Sequence, residues 1–411
     1  MPASPKIPRL LFLADVAGAS SYHVGDEAML EANITLFRAL LPGCCIEVAA
    51  GPGWDGDRLE ATVLPRLEFS RESGSDRDRF LQQLSEGTDS VSPAVRAALN
   101  CDALIISGGG NLSCSWPHHL YERLAMARIA ASKGKPVILL GQTLGPDLCP
   151  RERELLSELL QLSQWTGLRE RDSSALALEL GADPGKLSYQ LDDAVFLSPE
   201  RVQSDLNGIE NRPWIAVTVH PLGAPSVRNP IVARLASHLR SIAKAADADL
   251  VFLPHVEYPP QTSPVSDGEF GEAIARALYG NPGMRINPVL QASRTLWLTQ
   301  QASLVISTRY HPIVFALAGA VPAIGIWSDD YTRRKLRGAL VHAERPDDAM
   351  DLSEAFDGGL VKKAMELWNS RKIVKEELRG RVELWRRDEK VRTTQLGNLL
   401  KARLRKAVSV G

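Results

Sequence analysis

An apolar run, Ser303 to Ser307, leads into Thr308-Arg309-Tyr310-His311, which sets a fixed cation and a titratable imidazole two residues apart at the end of an expected strand. The segment Ile313 to Ala320 has helical spacing broken by Gly319 and Pro322, so Arg309 and His311 fall on a strand-to-helix turn. In open α/β sheets, ligands bind at the carboxyl ends of strands, where backbone N–H groups and a helix N-terminus favour an anion. A phosphorylated or carboxylated substrate would use the arginine as a clamp and the imidazole as a proton donor. The competing assignment is an arginine paired to a local carboxylate and a histidine capping the next helix.

Other strand ends carry chemistry in the same manner. The first leads into Tyr22-His23-Val24-Gly25-Asp26-Glu27, a second into Gly108-Gly109-Gly110-Asn111, a third into Gln142-Thr143-Leu144-Gly145-Pro146 and a fourth into Arg169-Glu170-Arg171-Asp172-Ser173. Glycines there let backbone N–H groups approach a ligand, although a plain tight turn explains them equally and the phosphate-loop Gly-Lys-Ser/Thr ending is missing. Asp26 opens a helix, either as a first-turn carboxylate or as a general base for a hydroxyl. His220 and His255 also end expected strands, whereas His118 and His119 read as surface residues at a helix start. Asp192-Asp193 has no partner ligands at suitable spacing, so no metal is expected.

These positions presuppose a particular scaffold. Strands are expected at Arg9–Val16, Ile46–Ala50, Asp102–Ser107, Pro136–Gly141 and Thr166–Arg169, with helices at Asp26–Leu41, His119–Ala131, Arg151–Leu162 and Ser173–Leu180. The alternation resumes with strands at Trp214–His220, Leu250–His255 and Met284–Asn287, and helices at Ile231–Ala246, Glu269–Leu278 and Arg294–Gln301. Repeated alternation implies parallel sheets covered by helices on both faces. The fold class is α/β: two Rossmann-like domains facing across a cleft, with C-terminal helices. Residues 1–197 form the N-terminal, acceptor-side domain, with a mobile insertion or lid at about 51–100. Residues 198–212 are a linker, 213–360 the C-terminal, donor-side domain, and 361–411 a basic helical segment.

A chain of 411 residues is too long for one ordinary core. Its net charge of −1 argues against a general nucleic-acid binder. Positive charge is nevertheless concentrated from Val361 to Lys406, where 15 lysines and arginines face 6 acids, a composition that suits contact with anionic lipid. The 5 cysteines have no metal-ligand spacing, and adjacent Cys44-Cys45 is a poor disulfide, which fits a reducing cytoplasm. The start, with its apolar run interrupted by Asp15, reads as a first strand and not as a secretory leader, and no window is long enough to span a bilayer.

Taken in order, Gly25-Asp26, the Gly108 to Gly110 run, Gly141-Gln142 with Gly145-Pro146, Arg169 with Ser173 and Gly181, Asp193-Ala194, Ser307 to His311, Gly319 with Pro322, and Lys335 resemble the polysaccharide pyruvyl transferase family. Two places depart from its pattern: His23 stands where the family has Asn, and Glu170 where it has Asp. The resemblance implies a GT-B arrangement, phosphoenolpyruvate as donor, and a sugar diol of a polysaccharide or its precursor as acceptor, free or lipid-linked. The product would be a cyclic pyruvate ketal, with phosphate released and no cofactor required. It assigns Arg169, Arg309, Lys335 and Ser307 to the donor, converging on one small trianion. His311 and Asp26 would be acid and base. Gly25, His23, Gly109, Gly110, Asn111, Gln142, His220 and His255 would line the acceptor side or cleft. A GT-B glycosyltransferase using a nucleotide sugar and a non-catalytic saccharide- or anion-binding protein are the alternatives.

Overall fold

The computed structural model describes residues 7–18, 21–86, 92–206, 208, 212–223, 228–258, 265–279 and 283–409, with side chains through 404. Two compact units divide the chain: the first comprises Met1–Gly18, Met29–Asp193 and Arg387–Gly411, the second Ala19–Ala28 and Ala194–Arg386.

Strands β1 (Arg9–Leu13), β2 (Tyr22–His23), β3 (Cys45–Ala50), β4 (Thr62–Pro65), β5 (Ala103–Ile106), β6 (Gly109–Leu112), β7 (Val137–Leu144), β8 (Trp165–Leu168) and β9 (Leu187–Tyr189) lie in the first half of the sequence. All but β2 form the sheet of the first unit, in the order β4-β3-β1-β5-β7-β8-β9, with β6 on β7. Its ladders are parallel, and β7 is buried at every position, as a strand covered on both faces must be. Successive β1 residues serve opposite cores: Leu11 and Leu13 pack with Leu104 and Leu139, while Leu10 and Phe12 pack with Phe37, Ile105 and Ile138.

The second unit contains β10 (Trp214–Thr218), β11 (Asp249–Phe252), β12 (Val256–Glu257), β13 (Met284–Ile286), β14 (Leu304–Ser307), β15 (Ala323–Trp327) and β16 (Ala349–Asp351). Its parallel sheet runs β13-β11-β10-β14-β15-β16. In each sheet the winding direction reverses once at the first strand laid down, between β1 and β5 in one and between β10 and β14 in the other. Such reversals leave a crevice at the carboxyl ends of the two strands.

Four sequence expectations change. Residues 51–100 are no lid: β4 is an edge strand, and helices Gly74–Ser85 and Pro93–Asn100 bury Leu81, Leu84, Ala94 and Val95 in the first unit's core; residues 87–91 lie outside the described residues. The stretch expected as a linker is docked, with Asp205 holding Arg294 at 2.6 Å and Glu200 bonded to Ser293; residues 207 and 209–211 lie outside the described residues. The Tyr22-His23 segment belongs to the second unit, because β2 pairs antiparallel with β12 and Val24 N–H donates to the His255 carbonyl at 3.0 Å.

The basic terminus, finally, is one helix, Leu360–Ser409, whose last part belongs to the first unit. Leu396 and Leu400 are fully buried in that unit's core, and Arg392 reaches Asp193 at 2.8 Å. Part of the helix's positive surplus is thereby paired to acids elsewhere in the chain, as with Lys363 and Asp348 at 3.6 Å.

Candidate functional site

In the second unit, chemistry collects where β10 and β14 diverge. His220 follows β10, and its backbone N–H donates to Thr308 Oγ1 at 2.9 Å, tying the two strand ends together. Its imidazole lies 2.7 Å from the same hydroxyl; burial, reinforced by Arg309, lowers its pKa to about 4. Ser307 accepts the Arg309 N–H at 2.9 Å and is fully buried, so it braces the turn instead of facing a ligand as expected.

Arg309 caps the helix Tyr310–Ala318, whose first N–H groups open at the same edge. Its guanidinium is held by Asp267, with Nε donating to Oδ2 at 2.9 Å and Nη2 to Oδ1 at 2.6 Å. Asp267 has no exposed surface and also accepts the N–H groups of His255 and Val256 at 3.1 Å each. The local-carboxylate pairing weighed from sequence is therefore real, yet 26% of the Arg309 side chain remains exposed. A carboxylate that grips one edge of a guanidinium fixes the direction of the other.

His311 follows on the helix's first turn, with its ring packed on Gly25; a β-carbon at Gly25 would lie 1.7 Å from Nδ1. The rings of His311 and His255 both flank Phe315, at centroid distances of 6.4 and 5.5 Å. His255 is 2% exposed, and neither of its ring nitrogens has a hydrogen-bond partner among the described residues. Burial lowers its pKa to about 3, so it stands as a neutral imidazole. Lys335 lies over the Tyr310 ring at 5.2 Å and donates to the Tyr331 hydroxyl at 3.2 Å. His23 and Asp26 approach at 3.7 Å, both partly exposed. The second unit thus brings together Gly25, His23, Asp26, His220, His255, Arg309, His311 and Lys335.

The first unit treats its expected site residues differently. Arg169 is 1% exposed, and its guanidinium is engaged by Asp192, by Thr143 Oγ1 at 2.7 Å and by Met29 Sδ at 3.6 Å. It is a buried brace and not the open donor cation that the sequence suggested. Glu170 accepts from Thr143 at 2.7 Å and Ser173 at 2.8 Å, extending the same brace. Gln142 is likewise turned inward, donating to the Ser107 and Leu140 carbonyls at 2.8 Å each. Asp192 pairs with Arg169, and Asp193 with Arg392 at 2.8 Å.

Gly109 and Asn111 do meet functional-looking groups. A β-carbon on Gly109 would stand 3.1 Å from Asn111 Oδ1 and 3.5 Å from Asp15 Oδ2, and Asn111 donates to Asp15; Gly110, next in line, is partly exposed. Asp15 is also bonded by Arg66 at 2.7 Å and Arg123 at 2.5 Å, and His119 lies 3.2 Å away. Burial pushes the Asp15 carboxyl up, but Arg123, His119 and Arg66 outweigh it and hold it well below the usual range. His119 is therefore part of a polar cluster and not the plain surface residue expected. Asp15, Arg66 and Asp267 escaped the sequence reading; Asp267 left one trace, its place behind the helix-capping Ser266.

The order of these motifs decides the family. The polysaccharide pyruvyl transferase family model matches residues 23–330, from His23 through Arg309 and His311. The chain belongs to the polysaccharide pyruvyl transferase family. Lys335 lies just beyond the matched stretch. No curated protein matches the chain in sequence. Among solved structures, Anabaena HepE in complex with UDP is 11% identical, with a TM-score of 0.58 over 96% of this chain and all of that one. The UDP-GlcNAc 2-epimerase of Methanocaldococcus jannaschii is 13% identical, with a TM-score of 0.56 over 87% of this chain and 92% of its own. That of Neisseria meningitidis, bound to UDP-GlcNAc, is 12% identical, with a TM-score of 0.54 over 90% and 94%. At such identities the likeness establishes the fold, which is of the GT-B type.

Proposed function

We propose that this pyruvyl transferase family member takes its pyruvyl group from phosphoenolpyruvate and delivers it to a sugar diol as a cyclic ketal. The observation that carries the reading is the arrangement at the β10/β14 reversal, where an oriented guanidinium, an imidazole and a helix N-terminus share one strand end within the family-matched region.

Phosphoenolpyruvate brings a carboxylate and a phosphate. The exposed edge of Arg309, the Lys335 ammonium and the Tyr310–Ala318 helix N-terminus supply donors and positive potential for both groups. His311 protonates the methylene carbon, which makes the adjacent carbon electrophilic. One sugar hydroxyl attacks that carbon and gives its proton to Asp26, or to His23 beside it. The bond from carbon to the phosphate oxygen then breaks, with charge on the departing phosphate stabilised by Arg309 and Lys335. The second hydroxyl closes the ring, and its proton passes to the released phosphate. Two sugar O–H bonds are exchanged for two C–O bonds, the methylene becomes a methyl group, and phosphate leaves. No cofactor enters this sequence.

A reducing, cytoplasmic setting accords with the 5 cysteines, all unpaired. Among the described residues no helix is long and apolar enough to cross a membrane. For a lipid-linked acceptor, exposed Lys372, Lys375 and Lys390 of the long terminal helix would meet the anionic leaflet; replacing them with Glu should then abolish binding to anionic vesicles.

The reaction is tested by following phosphate release from phosphoenolpyruvate with a panel of saccharides. Release that requires both a saccharide and His311 supports it. Turnover of a nucleotide sugar without any release from phosphoenolpyruvate overturns it.

A further inference from the structure

Of the 8 tryptophans, Trp116 alone is exposed, at 45%, while six are buried at 8% or less and Trp327 is intermediate. It stands between β6 and the helix Pro117–Ser132, in the first unit. Its ring centroid lies 6.5 Å from both His118 and His119. His119 Nδ1 is in turn 3.2 Å from Asp15 and 2.8 Å from Arg66 Nη2, and Asn111 donates to Asp15. An indole, two imidazoles, a carboxylate, an amide and a guanidinium therefore form one run of contacts. They sit beside the β1/β5 reversal, where an open α/β sheet accommodates a ligand.

The charge of this cluster specifies the kind of ligand. Arg66 and Arg123 are matched by Asp15 and Glu122, to which Arg66 also donates at 3.0 Å. Burial lowers the pKa of His118, to about 3, and that of His119, so neither adds a cation at neutral pH. Within the cluster the charges therefore cancel, and the further cation that acts on His118, Arg71, is solvent-exposed, where its field is screened. Hydrogen-bonding capacity remains: Asn111 Oδ1 on β6 and Ser113 Oγ just after that strand are buried without a partner among the described residues, and Ser113 is 1% exposed. Buried polar atoms of this kind are costly unless something completes them. A flat apolar face next to planar donors and acceptors, with charges cancelled, suits a ring that is apolar on its C–H face and hydroxylated at its rim.

We propose that Trp116, His119, Asp15, Asn111 and Arg66 form a subsite for an uncharged sugar ring stacked on the indole. Naming that ring the acceptor rests on the pyruvyl-transfer reading; its binding here does not.

The experiment is saturation-transfer NMR on the full chain, with the methyl glycosides of glucose, galactose, mannose and N-acetylglucosamine and no phosphoenolpyruvate present. Saturation should reach the ring C–H protons of at least one glycoside. Trp116→Ala should weaken that glycoside roughly tenfold, Trp116→Phe less, with both variants melting like the parent because the side chain is exposed. Silence from all four glycosides, or equal binding by folded Trp116→Ala, overturns the subsite. Phosphoenolpyruvate is examined separately, by its effect on thermal unfolding without sugar. Trp116-dependent sugar binding with no response to phosphoenolpyruvate would count against the donor reading alone. A phosphoenolpyruvate response with Trp116-independent sugar binding would count against the subsite alone.

Discussion

Gly25 and His311 are in van der Waals contact, so tightly that a β-carbon at Gly25 would come within 1.7 Å of Nδ1 and 2.1 Å of Cγ. Gly25 is needed here for space, since its φ is not in the left-handed region. The Gly-Asp motif therefore acts on His311 by leaving room for its ring. Gly25→Ala should push the imidazole aside and lower turnover roughly 100-fold, as expected for a catalytic group misplaced by about an ångström. Phosphate release by the purified variant checks this; unchanged turnover would separate the glycine from the acid.

His311 and Arg309 should fail differently. His311→Ala removes proton transfer and should reduce kcat by about 100-fold or more with a modest change in KM. Arg309→Ala should chiefly raise KM for phosphoenolpyruvate. Carried out in deuterium oxide, the parent reaction should leave one deuterium in each ketal methyl group, which mass spectrometry of the product reads directly. A ketal methyl free of deuterium would rule out protonation by a solvent-exchangeable acid.

Asp267 is the buried partner that aims Arg309. Asp267→Asn keeps the shape but removes the charge opposite a largely enclosed guanidinium, so a stability loss of about 3 kcal/mol is expected. The folded fraction should also show a raised KM for phosphoenolpyruvate, because Arg309 loses its fixed direction. Urea unfolding together with the KM against kcat split distinguishes this from a purely structural role, in which KM would stay put.

Acid should destabilise the protein through His255. Its folded pKa of about 3 lies below the ordinary 6.5, so as pH falls through that interval the unfolded chain takes up a proton that the folded chain refuses. The contribution is fully present above about pH 6.5 and fades toward pH 3, with His220, at about 4, adding in the same direction. The total at stake for His255 is on the order of 5 kcal/mol. Urea unfolding at several pH values should give a shallower acid slope for His255→Gln than for the parent; identical slopes would contradict it.

What sequence revealed and what it hid follow from range. Strand ends were legible because β10 and β14 are buried throughout, and each apolar run stops where the polar edge begins. Partners were not, because they come from distant segments: Asp267 lies 42 residues from Arg309, and Asp192 lies 23 from Arg169. An arginine at a strand end looks the same in sequence whether it faces a ligand or is locked inward, and Arg169 is locked. The two-residue strand β2 has no periodicity to betray it, so the transfer of Gly25 and Asp26 to the second unit was invisible. Residues 51–100 misled for a related reason: β4 is an exposed edge strand, and the helix after it is mostly polar, so neither shows the expected apolar spacing.

The most direct test follows the pyruvyl carbon itself. Phosphoenolpyruvate labelled with carbon-13 at the carbon bearing the phosphate oxygen is incubated with the full chain and a saccharide acceptor, and the label is located by NMR. It should appear as a saccharide-bound ketal carbon carrying a methyl group, in step with phosphate released and absent with His311→Ala. Label that stays in phosphoenolpyruvate, or leaves only as free pyruvate, while a nucleotide sugar is consumed in its place, would contradict pyruvyl transfer from this donor.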